Sequence, residues 1–202
     1  KTIEYLMNQA ESYFRDCDWI DAREYGEAHT EEIKSFEYYR KKRVAWAYVK
    51  TTDVSPAGTT LWIRSLENES GLEITAAEDT YIMIGCKGEI YDIERQKFEN
   101  SYETTNEPLD VFTQMMDFWP ELQKLPEQDF ISIDEYARLC YPKQEAGIYA
   151  RRLEKRTKIF PVGKSHEYFL GRKGDYMAVR PDDLTDIYVI RGDIFGQTYE
   201  EN

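Results

Sequence analysis

Residues 80–103, TYIMIGCKGEIYDIERQKFENSYE, and residues 175–200, DYMAVRPDDLTDIYVIRGDIFGQTYE, decide the fold, because one reads as a divergent copy of the other. Tyr81-Ile-Met-Ile leads through a Gly-Cys-Lys-Gly turn to Glu89-Ile-Tyr91-Asp-Ile93, then to Phe98 and Ser101-Tyr102-Glu103. Tyr176-Met-Ala-Val leads through a longer turn to Asp186-Ile-Tyr188-Val-Ile190, then to Phe195 and Thr198-Tyr199-Glu200. From Glu89 onward the offset is a constant 97 residues. Side chains alternate across a strand, so each copy reads as a hairpin with Tyr91 and Ile93, or Tyr188 and Ile190, on one core face. Phe98 and Phe195 then anchor the segment that follows, while Tyr102 and Tyr199 each carry a hydroxyl that needs a partner once buried. The acids at matching edges, Glu89, Glu103, Asp186 and Glu200, are candidate binding residues for a shared ligand.

Working outward, a weaker echo lies upstream. Trp19-Ile ending in Glu24-Tyr25 parallels Phe130-Ile ending in Glu135-Tyr136. Helical spacing of Ile3, Met7, Ala10 and Phe14 predicts an opening helix. A second is expected from Thr30, with Glu31 and Glu32 in its first turn and Arg40-Lys41-Lys42-Arg43 at its end, a charge order that suits the helix dipole. From Val44 the period becomes two: VAWAYVKT, TLWIRSL, GLEITAA, YIMIG and EIYDI read as short strands. Pro108 opens a third expected helix through Leu109, Phe112, Met116 and Trp119, which Pro120 stops. Residues 125–129 read as a linker. Ser132-Ile-Asp-Glu135 is a capping box for a short helix ending near Pro142, and 144–156 is expected to be helical again. EYFLG, DYMAVR and DIYVIRG close the chain as strands. The expected class is α+β, with two tandem small antiparallel modules, barrel-like or half-open, each preceded by helices. The expected division is 1–105, a connection over 106–128, and 129–202.

The first copy, with Tyr39-Arg40-Lys41-Lys42-Arg43-Val44 upstream of it, resembles a small domain common in tailed-phage and prophage genomes. That family's signature runs approximately G-D-W-x-x-x-G-x-x-G-E-x-Y-P, then a Phe and T-Y-E. Gly174-Asp175-Tyr176, Phe195 and Thr198-Tyr199-Glu200 match it in the second copy, whereas Asp79-Thr80 replaces Gly-Asp in the first, and neither copy keeps Pro after the Tyr. The resemblance spans about half the chain. It implies an origin in bacterial mobile elements and no particular chemistry.

The 202 residues carry 26 Lys and Arg against 39 Asp and Glu, a net charge of −13 that disfavours phosphate backbones and anionic membranes as partners. No run approaches the ~20 apolar residues that cross a bilayer, and the first residues lack a basic-then-apolar signal pattern, so a cytoplasmic location is expected. Cys17, Cys86 and Cys140 are far apart and form no C-x-x-C pair, which fits a reducing compartment. His29 and His166 are the only histidines; no third orienting group is indicated beside either, and on separate modules they make a poor metal set, so no catalytic residue, metal or cofactor is assigned. Gly171-Arg-Lys-Gly174 has the form of a KH-domain G-x-x-G loop, but strands on both sides make it a turn. Residues 132–156 have the layout of a helix-turn-helix with Arg151, Arg152, Lys155 and Arg156 near phosphates, or simply of a basic helix end.

The expected function is therefore a non-enzymatic binding or interaction protein of phage or prophage origin, with a host or phage protein as partner and neither nucleic acid nor membrane. One alternative is an enzyme or sensor acting on a nucleotide-like molecule, using Glu89, Asp186, Arg180 or His166. Another is an acidic decoy of nucleic acid, which requires Glu67, Glu69, Glu73, Glu78 and Asp79 to share a face with Glu89, Glu94 or Asp182 and Asp183.

Overall fold

The structure, a computed structural model, describes residues 16–63, 71–116, 119–164 and 167–202. Its elements in chain order are β1 (Asp18–Asp21), α1 (Ala22–Ala28), α2 (Thr30–Lys34), β2 (Glu37–Lys41), β3 (Trp46–Lys50), α3 (Thr51–Val54), β4 (Thr60–Ile63), β5 (Leu72–Thr75), β6 (Thr80–Ile84) and β7 (Ile90–Glu94). There follow α4 (Arg95–Ser101), β8 (Tyr102–Thr104), α5 (Asp110–Thr113), β9 (Glu121–Leu125), β10 (Asp129–Ser132), β11 (Arg138–Pro142), β12 (Gly147–Arg152) and β13 (Thr157–Phe160). The last are β14 (Phe169–Gly171), β15 (Tyr176–Arg180), β16 (Asp183–Ile190), α6 (Gly192–Thr198) and β17 (Tyr199–Glu201). The chain is α+β and mostly β, with several antiparallel sheets, none of them closed.

The 97-residue offset recurs in the elements themselves. Helices α4 and α6 start and stop 97 residues apart, as do β8 and β17, and β4 and β13. Both hairpins form: β6 pairs β7 with Tyr81 opposite Ile93, and β15 pairs β16 with Tyr176 opposite Ile190. Strand pairing also crosses the sequence halves. Strand β11 lies between β3 and β8, with Leu139 opposite Ala47 and Tyr141 opposite Glu103, while the terminal β17 pairs β2, Tyr199 opposite Lys41.

Two compact units result, Lys1–Glu37 with Tyr149–Phe195, and Tyr38–Ile148 with Gly196–Asn202. In the first, Ile20, Ala22, Ile33, Ile159, Met177, Val179, Ile187 and Val189 form the core. Helix α1 reaches it through an Asp21 cap, whose carboxylate accepts the Glu24 N–H at 3.0 Å. Gly26 is required there, since a Cβ would run into the Leu184 carbonyl oxygen. In the second unit, the sheet β7-β6-β3-β11-β8 and the sheet β10-β9-β4-β5 share a core of Val49, Leu61, Ile63, Ile82, Ile84 and Leu122, the interdigitation expected of stacked sheets. The opposite face of β3 and β6 is buried as well, under Tyr48, Tyr81, Met83, Phe98 and Tyr102.

Several expected helices are strands. Helix α2 stops at Ser35, whose hydroxyl donates to the Glu32 carbonyl, and Glu37–Lys41 is β2, so the basic run 40–43 ends no helix. The helix expected over 109–119 is the single turn α5, with Phe112 buried and its ring tilted against Trp119 at 5.4 Å. Residues 125–129 form the turn of the β9–β10 hairpin rather than a linker. Ser132 precedes one 3-10 turn, Ile133–Glu135, and what was expected as helix up to Pro142 is β11. Residues 147–152 are β12, because pairing with β15 buries Ile148 and Ala150 alternately and outweighs the local helix preference of Gln144-Glu145-Ala146. The expected helix over 3–14 lies outside the described residues.

Candidate functional site

Two of the sequence-predicted acids, Glu89 and Glu103, lie apart within the second unit. Glu89 precedes β7 and is buried at 2% exposure, its carboxylate against Gly85. Glu103 lies on β8, at the other edge of the same five-stranded sheet, exposed and ion-paired with Arg43. Four strand spacings separate those edges, about 19 Å. Glu200 is exposed on β17 opposite Arg40. Arg180 and Asp186 do meet in the first unit: Arg180, 8% exposed, donates to Asp182 from Nε at 2.9 Å and Nη2 at 3.1 Å, with Asp186 3.9 Å away. Burial disfavours the guanidinium charge, but the Asp182 hydrogen bond and the nearby Tyr188 and Asp186 outweigh it and hold Arg180 protonated. This is a clamp on the irregular step between Val179 and Arg180, where the β15–β16 register shifts. His166, Glu67 and Glu69 lie outside the described residues.

Two of the three thiols, Cys86 and Cys140, are poor nucleophiles. Cys17, Cys86 and Cys140 are all free, burial raises the Cys140 thiol far above its ordinary range, and burial with the Glu89 charge raises Cys86. Among the described residues no cluster of His, Cys, Asp or Glu is arranged to hold a metal, and no helix is long and apolar enough to cross a membrane.

Sequence reasoning missed two constellations. In the second unit, the buried Lys41 ammonium lies 2.5 Å from the Tyr102 hydroxyl, with the Trp46 and Tyr199 rings at 5.8 and 5.9 Å. Tyr91 shares the Tyr102 hydroxyl at 2.6 Å. The strand alternation of Tyr39 and Lys41 in EYYRK was the available signal, hidden by the helical reading. Because β2 and β17 carry two of its members, this cage joins strands distant in sequence.

The other constellation is on the surface of the first unit. Strands β1, β13 and β14 form one sheet, with Trp19 opposite Lys158 and Asp21 opposite Phe160. Ile20 and Ile159 face the core, so the alternate residues Trp19, Lys158 and Phe160 lie on the other face of the sheet, where Trp19 is exposed, Phe160 is half-buried and Lys158 is buried. Trp19 is 56% exposed, its ring 5.3 Å from Phe160, which lies 5.7 Å from Tyr168. The Lys158 ammonium sits between, 4.4 Å from the Tyr168 ring and 5.7 Å from Trp19, a favourable cation–π arrangement. The signal was an outward Trp in the alternating DWID, together with the basic run after Ala150. The arrangement presents the Trp19 ring to solvent, backed by the half-buried Phe160 and Tyr168 rings around the buried Lys158 ammonium. No protein-family model, curated protein or solved structure matches this chain.

Proposed function

We propose that the chain is a non-enzymatic binding protein of phage or prophage origin whose working surface is the outward face of Trp19, Lys158, Phe160 and Tyr168. The observation that carries this reading is the exposed Trp19 ring backed by the half-buried Phe160 and Tyr168 rings, since clustered aromatics reaching a surface mark interaction sites more often than scattered ones. The candidate acids support it from the other side, because Glu103 and Asp186 face arginines of their own unit. The phage origin rests on the resemblance of the repeated segment. The whole-chain charge of −13 favours a protein over nucleic acid only as an average over the molecule, and it leaves the class of partner at this face open.

The test is retention of bacterial or phage-infected lysate components on the immobilised full chain, assayed for both protein and nucleic acid. Trp19→Ala is expected to reduce retention while Glu103→Gln with Glu200→Gln leaves it intact. The opposite pattern removes this face as the working surface. Turnover of a nucleotide substrate panel, abolished by one substitution at Glu89, Asp186 or Arg180, moves the protein to the enzyme class.

A further inference from the structure

We infer that the Trp19 face takes single-stranded nucleic acid, bases stacking on Trp19, Phe160 and Tyr168 and phosphates meeting the basic loops at the strand ends. The assignment rests on the binding reading above and names its partner. Charge is the first argument. Residues 151–173 hold eight lysines and arginines against two glutamates, and with Asp18 and Asp21 of β1, Asp175 of the adjoining loop and the Glu32 paired to Arg151 the local balance is still +2 within a chain of −13. A field averaged over the molecule repels phosphate, but beyond about 8–10 Å it is screened at ordinary ionic strength, so a ligand at the surface responds to the local set.

The topology puts those charges beside the rings. Thr157 pairs with Gly171, so Arg156 and Arg172 leave neighbouring strands at the same end of the sheet. Their loops are joined by two backbone hydrogen bonds, Leu153 N–H to Asp175 O at 2.8 Å and Gly174 N–H to Leu153 O at 2.9 Å. Arg152, Arg156, Arg172 and Lys173 are all exposed there. Lys155 joins them, bridged at 2.9 Å to Asp18 next to Trp19. Lys158, buried among the rings, holds them together rather than meeting phosphate.

Alternating negative charges and flat apolar faces are the chemistry of an unpaired strand. A sheet whose aromatics stack bases, with basic residues tracking the backbone, is a recurrent solution for binding one. A duplex buries its base faces and offers the rings nothing, and an acidic peptide uses the bases but leaves the ring row unused. The single strand is the partner that engages both.

The experiment is fluorescence anisotropy of labelled 12-nucleotide dT and rU strands with the full chain. Binding at 50 mM salt is expected, with three or four phosphate contacts weakening it about 20- to 50-fold by 200 mM. Trp19→Ala is expected to weaken it roughly 5- to 150-fold, the range for loss of one base stack. Arg156→Glu with Arg172→Glu is expected to abolish it and serves as the second variant should Trp19→Ala unfold. Phe130→Ala removes an equally exposed ring on β10 of the second unit, 64% exposed, and is expected to change nothing. Absence of binding at 50 mM salt overturns the inference, as does binding unchanged by both face variants. Equal affinity for polyphosphate, for a duplex or for a mononucleotide overturns it too. Retention from lysate that depends on Trp19 without any oligonucleotide binding leaves the binding surface standing and removes only nucleic acid as its partner.

Discussion

Residues 80–104 and 176–201 pass through the same order of hairpin, seven-residue helix and three-residue strand, yet they are held by different contacts. In the first, β6 is buried on both faces, and Phe98 packs on Tyr48, Tyr81 and Tyr102 at centroid distances of 4.7, 5.1 and 5.5 Å. In the second, Phe195 stacks on Tyr176 at 3.7 Å and 10°, and β16 extends to eight residues, half-buried over its first four. The turns differ as well: Gly85-Cys86-Lys87-Gly88 closes over the buried Glu89, whereas Arg180 clamps Asp182 beyond a register shift. Backbone order persists where an aromatic after the hairpin fixes the helix to the sheet. Turn chemistry and the outer layer are free to diverge.

Removing the two anchors gives the largest test of that difference. Phe98→Ala opens a cavity among three rings and is expected to cost about 3–5 kcal/mol. Phe195→Ala removes the ring stacked on Tyr176 and is expected to cost less, about 3 kcal/mol, the low end for such a truncation. Urea unfolding of each full-chain variant measures both, and an equal or reversed order breaks the comparison. A second contrast lies at the helix starts, where Arg95 and Gly192 occupy matching positions. A Cβ at Gly192 would run into the Gly174 carbonyl oxygen, which is backbone and gives little. Gly192→Ala is therefore expected to cost about 1–3 kcal/mol, while Arg95→Gly costs about 1 kcal/mol through helix propensity. Thermal unfolding of the pair, at equal concentration, distinguishes a crowded site from a merely less helical one.

Strands were legible wherever a period of two met β-branched or aromatic residues, as in YIMIG, EIYDI and DYMAVR, and so was the constant offset that the elements later reproduce. The errors fall where a segment pairs with a strand distant in sequence. EYYRK became β2 because Tyr199 stands opposite Lys41, and residues 138–142 became β11 by lying between β3 and β8. A capping box and a basic end are local signals, and long-range ladders outweighed them. The spatial relation of the acids was not legible either: Glu89 and Glu103, 14 residues apart in one copy, sit at opposite edges of one sheet. Exposure, which marks Trp19, is a tertiary property and only alternation hints at it.

The Arg180 clamp has no counterpart in the first hairpin, and its removal is expected to act on the second alone. Asp182→Asn leaves Arg180 with a weaker, uncharged acceptor and Asp186 at 3.9 Å. Hydrogen bonds to charged groups contribute about 1.5–3 kcal/mol. With the Asp182 side chain about one-third exposed, solvent screening brings the expected loss to about 1–2 kcal/mol. Hydrogen exchange of β15 and β16 amides should speed up while β6 and β7 stay protected. Equal acceleration in both hairpins would mean that they open together.

The smallest expected effect is a pH response confined to the first hairpin's sheet. Burial raises the Tyr48 hydroxyl above the ordinary tyrosine value of 10.0, with Arg138 pulling the other way and too weakly to reverse it. The folded chain then keeps a proton that the unfolded chain releases. The corresponding stability is complete below pH 10.0 and is lost as pH rises through the higher folded value. Cys140, opposite Trp46 in that sheet, is raised by burial in the same direction and adds to the loss. Tyr48→Phe removes the tyrosine part, so its stability should fall less steeply than wild type between pH 9 and 11, by under ~1 kcal/mol. Urea midpoints across that range measure it, and a variant whose alkaline slope matches wild type would show that the Tyr48 hydroxyl does not couple proton release to unfolding.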